Sequence, residues 1–139
     1  MRIFIDASVI IAALLSPSGG SSYSVLLLGK HHHIGIISQT ILEEVQSKSE
    51  KISISRQNID AFVVQNNFRV CEYISDSEIQ PFTACVDASD AHVIAGAKKT
   101  KSTYLLTLDK KHLLRLDVQK CVAPLLVVSP KELIEILLS

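Results

Sequence analysis

Short apolar runs, each closed by a turn or a charged residue, alternate along this chain with longer segments of helical period. Residues 2–5 are β-branched and apolar, as a buried strand requires. Residues 7–15 are apolar with little polar relief, which predicts a helix packed on a sheet, and Ser16-Pro17-Ser18-Gly19-Gly20 reads as a loop. A second short helix is expected over 22–28, ended by Gly29, then a connector through His31-His32-His33 into a strand at 34–37. Three adjacent histidines cannot converge on one ion in extended backbone, because neighbours point to opposite sides.

The next helix is expected over 38–47, with Thr40 and Glu43 fitting a capping box and Ile41, Leu42 and Val45 forming its apolar side. Ile59, Phe62 and Val63 mark a further amphipathic helix over 55–65. A short strand at 70–74 and a polar loop over 75–84 containing Pro81 follow. A helix over 88–99, rich in alanine with Gly96, can approach a sheet closely. The pattern then predicts a strand at 102–108, a short helix at 110–116 and a strand at 125–128. Ser129-Pro130-Lys131-Glu132 opens the final helix with a capping box and Pro at its first position. Strands alternating with helices argue for a three-layer α/β/α sandwich around a mostly parallel sheet. At 139 residues the chain is expected to form a single domain, residues 1–139.

Composition narrows the picture. The net charge is zero, but six of the fourteen basic residues fall between Lys98 and Arg115 beside a single acid, Asp109. Such a stretch suits a polyanion, and it equally suits a solvated helix end followed by a surface turn. Cys71, Cys85 and Cys121 are far apart, odd in number and without a CxxC pair, so reduced thiols and neither a zinc knuckle nor a disulfide are expected. No apolar stretch approaches a membrane span, and Asp6 interrupts the N-terminal one, so a soluble, cytoplasmic protein with no membrane partner is expected.

The candidate chemistry rests on acids. Asp6 closes the first strand and Asp109 the run Tyr104-Leu105-Leu106-Thr107-Leu108, where a parallel sheet places its ligand site. Glu44 lies roughly 60° from Ile41 on a helical wheel, at the border of the apolar stripe, whereas Glu43 lies roughly opposite it. Asp87 and Asp90 share a face at the start of their helix, where the helix dipole alone also accounts for them. Acids brought together by the sheet need a cation, and oxygen-only ligation suits Mg²⁺ or Mn²⁺.

The chain resembles the PIN-domain family of metal-dependent ribonucleases, and within it the small prokaryotic toxin components of toxin–antitoxin pairs. The motifs are Ile5-Asp6-Ala7-Ser8, the stretch from Ser38 to Val45, the stretch Asp87-Ala-Ser-Asp90-Ala-His-Val-Ile-Ala, and Leu106-Thr107-Leu108-Asp109-Lys110. The resemblance implies that Asp6, Glu44, Asp90 and Asp109 are the catalytic acids. It implies metal ligation by Asp6, Asp87, Asp90 and Asp109, and support from Ser8 and Thr107. Lys110 and Lys111, which follow Asp109 directly, are expected to bind substrate. It further implies hydrolysis of RNA to 5′-phosphate and 3′-hydroxyl ends with Mg²⁺ or Mn²⁺. RNA, an antitoxin protein and a second copy of the chain are the expected partners. Leu108 stands where a Gly is common, His112 where an acid is common, and Ser89 and Ala91 where one subgroup has more acids. A PIN-like domain that binds RNA or protein without cutting is the non-enzymatic alternative. A phosphatase of the haloacid dehalogenase type wants a second Asp two residues after the first, where this chain has Ser8.

Overall fold

The computed structural model describes all 139 residues. Five strands, β1 (Arg2–Ile5), β2 (Ile34–Ser38), β3 (Arg69–Cys71), β4 (Tyr104–Leu106) and β5 (Leu126–Val128), form one sheet in the order β3-β2-β1-β4-β5. Every pairing is parallel. The chain therefore begins at the centre, runs outward through β2 to β3, and returns to the other side of β1 for β4 and β5. The helices are α1 (Ala7–Leu15), α2 (Gly20–Lys30), α3 (Gln39–Gln46), α4 (Ser49–Ile52), α5 (Arg56–Gln65), α6 (Asp76–Ile79), α7 (Ala88–Lys99), α8 (Leu116–Val122) and α9 (Pro130–Leu138). None is long and apolar enough by itself to cross a membrane.

Helix α7 packs on β1 and β4, whereas α1, α2 and α9 pack together. The close approach of α7 depends on Gly96, where an added Cβ would lie 2.3 Å from the tip of the Phe4 ring. Ile3 and Ile5 alternate with Phe4 and so point to the other face. A continuous core takes side chains from β1, β2, β4 and β5 and from the helices around them.

Local signals explain the ends that matched. Ser129 caps α9, its hydroxyl accepting from the Glu132 amide, while the Glu132 carboxylate accepts from the Ser129 amide. Ser55 caps α5 by accepting from Asn58 N. Other expectations need correction. Thr40 is not a cap: Ser38, where β2 ends, accepts from Ile41 N, and the Thr40 hydroxyl accepts from Ile74 N across the fold. The segment 75–84 is not a plain loop, because Ser75 and Glu78 form a capping box that starts α6, followed by a 3₁₀ turn at Gln80–Phe82. The expected helix at 110–116 is a set of turns, and the helix comes later, as α8. Cys85 and Cys121 are disulfide-bonded, their Cα atoms 5.9 Å apart, and only Cys71 is free. The segment before α7 folds back on α8, which separation along the chain could not reveal.

Strand β5 forms an edge of the sheet. Gln119 of α8 closes it: its Nε2 donates to Leu125 O at 2.7 Å and its Oε1 accepts from Val127 N at 2.8 Å.

Candidate active site

The chain leaves β1 towards one side of the sheet and β4 towards the other, so the crevice at their carboxyl ends is the topological switch point. Ile5 and Leu106 are register partners, which sets Asp6 beside Thr107. Asp6 is buried at 8% exposure, and its Oδ2 accepts from Ser8 Oγ at 2.9 Å and Thr107 Oγ1 at 2.7 Å. The two hydroxyls accept in turn: Leu108 N donates to Ser8 Oγ at 3.2 Å and Asp109 N to Thr107 Oγ1 at 3.1 Å. This closed network locks the two strand ends together and leaves Asp6 Oδ1 without a hydrogen-bond partner. Ser8 and Thr107 thus act by orienting Asp6.

Asp109 organises the turn that follows it. Its Oδ1 accepts from Lys111 N and His112 N at 3.1 and 2.9 Å, and its Oδ2 lies 3.1 Å from His112 Nδ1. A lone pair remains on Oδ2. Asp6 and Asp109 share a cleft of about 350 Å³ with Glu44 from α3 and Asp90 from the first turn of α7. Leu108, 40% exposed, forms part of its wall, as do Lys48 and His92. The helical phase assigned to α3 agrees with the structure. Glu44 is half-buried in the cleft, while Glu43 is exposed and accepts the Tyr73 hydroxyl.

Charge is concentrated here. Burial raises the carboxyl pKa of Glu44, and Asp6 raises it further, partly offset by His92 and Lys48. Burial likewise raises Asp90; His112 offsets this, while Asp109, Asp6 and Asp87 add to it. The acids thus oppose one another's ionisation, and nothing cationic in the cleft matches their number. A set of carboxylate oxygens in this state fits a hard divalent cation.

Asp87 stands at the margin. It is exposed and precedes α7 without capping it through its side chain. Ligand atoms of Asp87, Asp90 and His112 lie within 4.8 Å of one another. Asp87 and His112 also line an adjoining cavity of about 270 Å³. Lys110 and Lys111 are exposed on the turn after Asp109 and do not line the cleft. Lys48 and His92 escaped the sequence reading. His92 had a signal, as the one polar residue in the buried run from Ala91 to Ala97.

Residues 2–111 match the family model of the PIN domain. The chain belongs to the PIN-domain family. All four acids and both supporting hydroxyls of this PIN domain lie within the matched segment. No curated protein matches it in sequence. Among solved structures it is similar to a chain of VapBC2 from Rickettsia felis, bound to a DNA fragment from their promoter. The TM-score is 0.67 at 17% identity, covering 93% of this PIN domain and 98% of that chain. It is also similar to a chain of FitAB bound to an IR36 DNA fragment, with a TM-score of 0.60 at 13% identity over 92% and 94%. At these identities the likeness is one of fold.

Proposed function

We propose that this PIN domain is a metal-dependent endoribonuclease, the toxin component of a toxin–antitoxin pair, acting in the cytoplasm as a homodimer. The observation that carries the reading is the meeting of Asp6, Glu44, Asp90 and Asp109 in one cleft at the switch point of the sheet. Asp6, Asp90 and Asp109 would hold the ion, Mg²⁺ or Mn²⁺, with Glu44 completing the set and placed to orient the attacking water, and Asp87 would stand at the margin of the set. When bound, the cation neutralises charge on the phosphodiester and lowers the pKa of the attacking water. The chain supplies the rest: Ser8 and Thr107 fix Asp6, the turn from Asp109 to His112 fixes Asp109, and no side chain need bond covalently to the substrate. Both solved relatives are named as two-component complexes on DNA, which supports a protein partner.

The test is cleavage of a mixed RNA pool with Mn²⁺, Mg²⁺ or EDTA, with ends mapped by sequencing. Cleavage in metal, its loss in EDTA, and 5′-phosphate and 3′-hydroxyl ends are the expected results. Retention of intact RNA at every metal concentration would favour the binding-module alternative.

Stability gives an independent readout. Burial and the neighbouring acids raise the folded pKa values of Glu44 and Asp90 above their ordinary values. Between the ordinary and the raised values the metal-free fold binds more protons than the unfolded chain, so its stability falls as pH rises through that window. A divalent ion relieves the repulsion that causes this. Mn²⁺ at a hundred times its Kd should add about 2.7 kcal/mol, a rise of several degrees in melting temperature. The rise should be larger at pH 7.5 than at pH 5. A melting curve indifferent to Mn²⁺ at both pH values would count against an assembled site.

The basic residues divide into two groups. Lys99 pairs with Glu78 at 3.0 Å and Lys98 donates to Ala123 O at 3.4 Å. Both sit at the far end of α7, roughly 12 Å along its axis from Asp90. Lys110 and Lys111 follow Asp109 and are exposed. Replacing Lys110 and Lys111 by Ala should weaken RNA binding and reduce its salt slope by about 1 to 2. The same change at Lys98 and Lys99 should leave the slope unchanged. The opposite ranking in a salt titration would place the RNA path elsewhere.

A further inference from the structure

We propose that His92 is the positioning residue that holds Glu44 in the cleft. This deepens the nuclease reading and rests on it. His92 is nine-tenths buried in α7, two residues after Asp90, and its ring forms part of the cleft wall. Its Nδ1 is buried with no hydrogen-bond partner, and its Nε2 lies 3.9 Å from Glu44 Oε1. Polar side chains this deep normally satisfy both nitrogens, because an unmet donor costs its full desolvation. A hydrogen on Nδ1 would be such a donor. The ring hydrogen therefore belongs on Nε2, which directs the only N–H of the side chain towards the Glu44 carboxylate. The gap is too long for a direct bond, and a small rotation of Glu44 closes it.

Glu44 needs such a partner. Its side chain is 40% exposed and no hydrogen bond holds its carboxylate, while Asp6 and Asp90 repel its charge and only His92 and Lys48 attract it. A fixed N–H from α7 selects the inward arrangement before any cation arrives, and a rigid helix anchored by Gly96 against Phe4 supplies the fixed point.

The test uses the whole protein and reads Mn²⁺ affinity from free Mn²⁺ by electron paramagnetic resonance. His92→Phe keeps the volume and removes the N–H; His92→Gln restores a donor. His92→Phe is expected to weaken Mn²⁺ binding roughly tenfold to a hundredfold, and His92→Gln to recover most of the loss. In a Glu44→Gln background His92→Phe should add nothing, because the two act as one unit. Equal affinity of His92→Phe and wild type overturns the proposal, and so does an additive loss in the double variant. Should His92→Phe fail to fold, ring nitrogen shifts of wild-type His92 decide: a hydrogen on Nδ1 overturns the assignment. Wild type that binds no Mn²⁺ defeats the nuclease reading itself, whereas normal binding with an indifferent His92 defeats only this inference.

Discussion

Asp6→Asn should fold normally and cleave RNA about a thousandfold more slowly, or not measurably. The substitution is nearly isosteric, and its amide oxygen can take the place of Oδ2, so the hydroxyls of Ser8 and Thr107 keep their acceptor. What changes is the other position, where a negative oxygen becomes an NH₂ group that can only donate. A cation loses one ligand and meets a donor instead. The charge stabilisation at stake is several kcal/mol, and each 1.36 kcal/mol is a factor of about ten in rate. Removing one of several repelling carboxylates should at the same time leave the metal-free melting point at or above that of wild type. Cleavage within tenfold of wild type in a single-turnover assay would remove Asp6 from the catalytic set. A collapsed melting point would show that its charge is structural.

Adjacent glutamates should differ sharply. Glu44→Gln is expected to lower the cleavage rate by about a hundredfold or more, while Glu43→Gln should stay within about twofold. Glu44 shares the cleft with Asp6 and Asp90, which contribute to its raised pKa. Glu43 lies one residue away, exposed, with its carboxylate taking the Tyr73 hydroxyl. Losing that surface contact costs little. The comparison is internally controlled, since both variants lose the same charge from the same helix. Equal losses in parallel rate measurements would mean that overall charge, rather than placement in the cleft, governs activity.

How much of this was legible before folding depends on the range of the interaction. The start of α9 follows from four consecutive residues, and α1 from an apolar segment that only Ser8 interrupts, so both matched closely. The border position of Glu44 followed from helical phase alone. The network around Asp6 was not legible, because it joins residues 101 apart and exists only through the register of Ile5 with Leu106. The turn after Asp109 misled for a local reason. Residues 110–116 are expected to be helical, yet both Leu113 N and Leu114 N return to Asp109 O and the chain turns away. The Thr40 pattern failed for a similar reason: Ser38 had already closed the helix end. His112 was noted only as a departure, and its contact with Asp109 required the folded turn.

The side-chain amide of Gln119 has a consequence for how copies of this molecule can meet. An unclosed strand edge is a template on which another chain can continue the sheet, and that is a route to fibrous aggregation. At β5 both Leu125 O and Val127 N are already occupied by that amide, so an incoming strand finds two of the groups it would pair with taken. The opposite edge, β3, is three residues long and starts with an arginine, which makes it a poor seed. Growth by sheet extension is thus discouraged at both ends, and orderly self-association is left to the helical surfaces.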